Sequence, residues 1–205
     1  MRVYAATKNA GKLRELQALF LPFGVEICAY ESYADPAEGE QSYAGNAALK
    51  ARALAAQLRA AGLRAPALGD DSGLEVTALG GRPGVLSARY GGPDASWPMR
   101  RAMLRAEISA SGSTNRGARF VCALHLVAPD GVEHAVVQAL EGEIALADRG
   151  DAGFSYDPIF LYPPLGRTFG ELSEEEKNAI SHRARAVRAL QEVLSRGSQG
   201  RKANV

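Results

Sequence analysis

Cysteine is scarce in this 205-residue chain, which has only Cys28 and Cys122. Each stands in an apolar run, so both read as reduced core thiols, and neither a disulfide framework nor a zinc site is expected. An excess of charge of one sign is also missing. Lys and Arg total 24 against 23 Asp and Glu, a formal net charge of +1. No bulk field therefore favours a nucleic acid polymer or a membrane surface, and neither is expected as a partner. No apolar run reaches the length that crosses a bilayer. Met1-Arg2-Val3-Tyr4 reads as the start of a strand rather than a signal peptide, so the expected location is the cytoplasm. Lysine is the rarer cation, five against nineteen arginines. Three of the five, Lys8, Lys12 and Lys177, fall in polar motifs where a compact ammonium replaces the default guanidinium.

What is present is an ordinary globular composition, 46% hydrophobic and 23% charged. The length suits one domain, expected over 1–196, with a polar, frayed tail over 197–205. Residues 2–6 and 25–30 read as strands, and Leu13, Leu16, Leu19 and Phe20 mark one face of a helix between them. The acidic stretch 31–45 reads as a loop. An Ala-rich helix is expected over about 46–61, ended by Gly62, with Leu49, Ala53, Leu54 and Leu58 inward. A short strand from Pro66 is expected to run into Asp70-Asp71-Ser72-Gly73, and a second apolar strand resumes over 74–79. Ser96 and Pro98 open a helix to about 109. Runs 118–128 and 132–140, joined by Pro129-Asp130-Gly131, read as an antiparallel hairpin. Strands and helices interleave while the hairpin breaks a purely parallel pattern, so the class is α/β with a mixed sheet.

Four segments carry chemistry. Thr7-Lys8-Asn9-Ala10-Gly11-Lys12 lies between a strand and a helix, where free N–H groups and the positive helix end suit a polyphosphate. Read alone, it is more simply a plain turn with Asn9 as the helix cap and its lysines in solvent. It is not a Walker A loop, because Ala6 and Leu13 stand where that motif needs Gly and Ser or Thr. Asp70 and Asp71 repel each other unless a cation or donors relieve them. A magnesium ion would do so and would bring a phosphate oxygen, whereas the alternative is a tight Asp-Asp-Ser-Gly turn. Glu38 is the best candidate to complete a metal shell, although spacing does not select it over Glu40 or Asp35. Phe154-Ser155-Tyr156-Asp157, after Gly153, offers ring faces for a purine and a carboxylate for base or sugar. The same residues also read as an Asp-Pro turn with core aromatics. Ser173 with Glu176 forms a capping box, and a second cap at Ser181 breaks the following helix. That break sets His182 and Arg183 in a first turn, with Ala184, Val187, Leu190 and Leu194 as the buried stripe.

In their order along the chain these segments resemble the inosine triphosphate pyrophosphatase family, the dITP/XTP pyrophosphatases. The similarity runs from about 3 to 190. It includes Asn46 to Ala51, Leu79 to Gly84 and Ser87-Ala88-Arg89-Tyr90 besides the motifs above. The resemblance implies an elongated mixed sheet with helices, two lobes and a central substrate cleft, and a homodimer. It implies magnesium-dependent hydrolysis of ITP, dITP and XTP to monophosphate and pyrophosphate. Thr7, Lys8, Asn9, Ala10, Gly11 and Lys12 would hold the triphosphate. Asp71 would be the general base and lie at the metal with Glu38, Asp70 being a further candidate ligand. Ser72 would contact substrate. Phe154, Ser155, Tyr156, Asp157, Lys177, His182 and Arg183 would surround the nucleoside. Two positions depart from the family pattern: Gly45 stands where a glutamate is frequent, and Ser155 where glycine is common. The alternatives are a similar enzyme for modified pyrimidine triphosphates and a nucleotide sensor without catalysis.

Overall fold

The computed structural model describes residues 1–37 and 42–202, with side chains to 196. Its elements are β1 Arg2–Ala6, α1 Ala10–Phe20, β2 Glu26–Ala29, α2 Tyr43–Ala60, β3 Ala67–Val76, α3 Trp97–Ala110, β4 Gly117–Val127, β5 Glu133–Ile144, β6 Phe160–Tyr162, β7 Arg167–Thr168, α4 Glu174–Ile180 and α5 His182–Lys202. The strands form one seven-stranded sheet in the order β2-β1-β3-β4-β5-β6-β7. β1 runs parallel to β2 and β3, while β6 is antiparallel to β5 and β7. β4 and β5 are sheet neighbours joined by a five-residue turn, a connection that only antiparallel strands can use. The α/β mixed sheet is as expected. Among the described residues, no helix is long and apolar enough to cross a membrane.

The chain separates into two compact units. The first comprises Met1–Asp71, Cys122–Gln138 and the chain from His182, and the second Ser72–Val121 and Ala139–Ser181. In the first unit, strand alternation sends side chains to two faces. Val3, Ala5, Leu68, Cys122 and Leu124 pack with Leu16 and Phe20 of α1 and Ala186, Val187 and Leu190 of α5. Ala6 and Ala67 pack on the other face with Leu54 and Leu58 of α2 and Tyr33. The core of the second unit gathers Leu74 and Val76 of β3, Leu104 and Ile108 of α3, Phe120 of β4, and Tyr156, Phe160 and Phe169.

Local signals set most element ends. Asn9 Oδ1 caps α1 by accepting the Lys12 N–H, Ser42 Oγ accepts the Gly45 N–H at α2, and Ser96 Oγ accepts the Met99 N–H at α3. Gly62 follows α2 with φ +75°, a left-handed exit that glycine takes without steric cost. The predicted break before His182 is present, with α4 ending at Ile180 and α5 starting at His182. Four expectations are corrected. Asp70 to Gly73 make no turn, because β3 continues unbroken through them. The hairpin's second strand reaches Ile144 rather than 140. The expected loose tail from Gly197 is helical through Lys202. α2 buries Asn46 and Lys50 along with Leu54 and Leu58, whereas Leu49 and Ala53 are only half-buried.

Candidate active site

Adjacent residues of a strand point to opposite faces, so the two carboxylates of β3 lead separate lives. Asp70 shares its face with α1 and α5. Its Oδ1 is 2.6 Å from Lys12 Nζ, and its Oδ2 accepts from Arg183 Nε at 2.9 Å and from the Cys122 thiol at 3.5 Å. Arg183 is also paired with Glu15 of α1. All of these groups are buried except Lys12, whose side chain retains 17% of its exposure. Burial alone would push Asp70 up, but the cations Arg183 and Lys12 overcome it and hold the carboxyl well below its ordinary value. Burial likewise opposes the charge on Arg183, yet Asp70 and Glu15 hold it firmly protonated. Burial and the Asp70 charge push the Cys122 thiol well up, so it serves as a neutral donor.

Asp71 faces α2. Its Oδ1 is 3.0 Å from Lys50 Nζ and its Oδ2 accepts from Asn46 Nδ2 at 3.1 Å. Asn46 and Lys50 are one helical turn apart, on the face that presses against β3. Gly69 allows this approach: a Cβ there would lie 2.0 Å from the Ala47 carbonyl oxygen. Asn46 and Lys50 were missed as site residues. The available signal was a polar pair at i and i+4 on the inward face of an otherwise alanine-rich helix.

The adjacency of two aspartates had suggested one shared cation. The structure shows separate relief on opposite faces, and Asp70 is withdrawn as a candidate metal ligand because its oxygens are committed to Lys12 and Arg183. Among the described residues, no three His, Cys, Asp or Glu gather to hold an ion. The oxygen donors near Asp71 nevertheless suit a hard divalent cation. Its carboxylate neighbours the amide of Asn46, whose buried Oδ1 has no partner among the described residues. Glu38, expected as the second metal carboxylate, lies outside the described residues.

At the start of α1, Thr7 Oγ1 accepts the Asn9 N–H and Asn9 Oδ1 accepts that of Lys12, so both stabilise the helix end. Lys8, Asn9 and Ala10 are exposed, and Gly11 is half-buried. Lys12 is not in solvent, as a plain turn would have it, but beside Asp70. Ser72 is half-buried on β3, and His182 is buried at the first position of α5. Arg183, expected around the nucleoside, has its guanidinium inside the first unit. That side chain is 2% exposed and paired with two carboxylates, an internal strut between α5, β3 and α1.

In the second unit, residues 153–157 form a tight loop. Asp157 Oδ2 accepts the Phe154 N–H at 2.7 Å and lies 2.6 Å from Lys177 Nζ. Gly153 has φ +74°, and a Cβ there would meet Asp157 Oδ2 at 2.2 Å, so glycine is required. Lys177 Nζ lies 4.8 Å from the Phe154 ring centroid, within cation–π reach. Phe154 is half-buried, with part of its surface open. Tyr156 does not offer a ring to a ligand as expected. It is 1% exposed, its hydroxyl donates to the Ser87 carbonyl at 3.0 Å, and Trp97 packs against it edge-on at 5.4 Å. Burial pushes the Tyr156 phenol up to about 12, so it stays neutral. Asp157 and Lys177 likewise fix the loop from within. Both side chains, expected around the nucleoside, form a buried ion pair with each other.

An α/β scaffold with an N–H-rich helix start after β1, a buried carboxylate flanked by an amide and an ammonium, and a glycine-requiring loop carrying an open aromatic defines a nucleotide-handling enzyme. The chain belongs to the Ham1 family, whose model matches residues 3–193. It is 46% identical over 205 aligned positions to the dITP/XTP pyrophosphatase of Geobacillus kaustophilus, covering 97% of this chain and 98% of that relative. It is 45% identical to a dITP/XTP pyrophosphatase of Thermus thermophilus, covering 96% of this chain and 93% of that relative. Among solved structures, a HAM1 protein from Coxiella burnetii superposes with a TM-score of 0.81 at 37% identity, covering 96% of this chain and 99% of that one. The Staphylococcus aureus Ham1 protein gives 0.80 at 34% identity, covering 95% and 98%.

Proposed function

We propose that the chain hydrolyses ITP, dITP and XTP to the nucleoside monophosphate and pyrophosphate, removing deaminated purines from the cytoplasmic nucleotide pool as a magnesium-dependent homodimer. The observation that carries the reading is Asp71, a buried carboxylate with Lys50 and Asn46 as its neighbours. A carboxylate there orients a water, and an ammonium beside it offsets negative charge gathering on phosphate oxygens. Asp71 and the Asn46 amide oxygen are the described groups that would hold magnesium. When bound, the ion supplies Lewis-acid polarisation of the phosphates and offsets charge on the departing pyrophosphate.

In this reading the start of α1 takes the phosphates and the 153–157 loop the nucleoside. The α1 amides, with Thr7, Lys8, Asn9 and Lys12, bind the triphosphate at the helix end. Water held by Asp71 attacks the α-phosphorus, the bond to the bridging oxygen of the β-phosphate breaks, and pyrophosphate leaves. Ser72 and His182 remain proposed substrate contacts. Phe154 supplies a stacking face for the base, supported from beneath by the ammonium of Lys177. Backbone N–H groups of the 153–157 loop other than those of Phe154 and Asp157, which are bonded within it, suit the 6-oxygen of hypoxanthine or xanthine. An adenine amino group would leave such a donor unpaired, at a cost of about 1–3 kcal/mol each.

The test is pyrophosphate release from a panel of purine and modified pyrimidine triphosphates, with and without magnesium, ranked by kcat/KM. ITP and XTP should lead, with turnover lost on chelation. Asp71→Asn should lower kcat by at least about a hundredfold while substrate still binds. Near-normal turnover in that variant, or a pyrimidine at the head of the ranking, would overturn the proposal.

A further inference from the structure

Ser155 is the one non-glycine residue with positive φ, at +62°, among the described residues. This left-handed conformation disfavours an L side chain, because Cβ crowds the following carbonyl. Such a conformation persists where neighbouring groups over-determine it. The neighbour is α3. Arg101 donates from its Nη1 to the Ser155 carbonyl at 2.8 Å, and from Nε to Asp148 Oδ2 at 2.7 Å. Arg105, one turn on, pairs with the other oxygen of Asp148. One turn before, Trp97 packs on Tyr156, the residue after Ser155. Positions 97, 101 and 105 share a helical face, so a single row of α3 grips this loop. The Arg101 side chain is only 11% exposed, which fixes its fork rather than leaving it to solvent.

We propose that Arg101 is a positioning residue: by clamping the Ser155 carbonyl it holds this peptide in its left-handed form and so sets the direction of Phe154 and the loop amides toward the base. Asp148 aims the guanidinium, with Arg105 fixing the carboxylate from the far side. Burial raises the Asp148 pKa, but hydrogen bonds from Arg101 and Arg105 outweigh it and keep the group ionised. The clamp matters here because serine, unlike glycine, does not hold positive φ unaided. Its effect on substrate rests on the proposed function, in which this loop meets the nucleoside. Its effect on the loop does not.

Two measurements on the full-length protein test it. The first is amide hydrogen exchange of residues 153–157 without ligand. Arg101→Met should speed exchange there by about tenfold or more, and Arg101→Lys by less, since lysine keeps a donor but not the fork. Adding Ser155→Gly should return the loop near the parent rate, because glycine needs no clamp. The second is steady-state kinetics with ITP and magnesium. Arg101→Met should raise KM by about tenfold with kcat within about threefold, and Ser155→Gly should restore KM. Unchanged exchange in Arg101→Met, or no rescue by Ser155→Gly, would overturn the clamp. If the parent releases no pyrophosphate from ITP, the proposed function falls while exchange still judges the clamp. Altered exchange with unchanged KM would overturn its role toward substrate.

Discussion

Asp70 and Asp71 are chemically identical neighbours with different tasks, and environment alone separates them. Asp70 balances Lys12 and Arg183 and stabilises structure. Replacing it by Asn would leave Arg183 buried with half its partners, so Asp70→Asn should cost about 3–5 kcal/mol in urea unfolding. The sign of the pH dependence follows from its lowered folded pKa. A depressed carboxyl contributes stability that is complete above its unfolded value and lost as pH falls through the folded one. The difference between parent and Asp70→Asn should therefore be flat from about pH 5 to 8 and shrink only in stronger acid. A difference that varied across neutral pH would show that Asp70 is not held low. At this scale the sequence disclosed that two adjacent carboxylates need relief, but not by whom. Lys50 and Arg183 lie far from them along the chain, and the partner of each is decided by tertiary packing. The same holds for Tyr156, whose ring chemistry suits a ligand or a core equally well until its neighbours are known.

Helix α2 brings Asn46 and Lys50 to Asp71, and its placement rests on two glycines of opposite consequence. Gly69 is indispensable, because any Cβ would strike the α2 backbone. Gly69→Ala should cost about 1–3 kcal/mol by overpacking and weaken the site by displacing the helix. Urea unfolding and the KM for ITP together would check this. Gly45 stands at the third helical position, where Ser42 already accepts its N–H. A glutamate there would complete a capping box and remove a flexible residue, so Gly45→Glu should stabilise by about 1 kcal/mol. No gain in the urea midpoint would refute that. Elements with strong local chemistry, such as the Asn9 and Ser96 caps and the break before His182, were legible in the sequence. The continuity of β3 through Asp70 to Gly73 was not, since Asp and Gly suit a turn locally while the pairing of a central strand overrides them. The short β6 and β7 escaped notice because two or three residues carry no periodicity.

At the scale of the whole molecule, the family and the fold class were legible because ordered motifs and alternating elements are properties of the chain as written. The pairing of groups across distant elements was not. If the start of α1 takes phosphate and the 153–157 loop the nucleoside, ligands should protect the two segments unequally. Magnesium pyrophosphate should slow amide exchange in β1–α1 and α2 alone, and a non-hydrolysable ITP analogue should also slow it at 153–157. Equal protection of both segments by pyrophosphate would contradict that assignment. The unbroken run of β3 through its acidic pair carries one last consequence. Which aspartate meets which helix is a matter of odd and even: deleting one residue between Ala67 and Asp70 would turn Asp71 toward Arg183 and press Asp70 into the place against α2 that only Gly69 fits. The chain could keep every acidic and basic residue it has and still lose the site by a count of one.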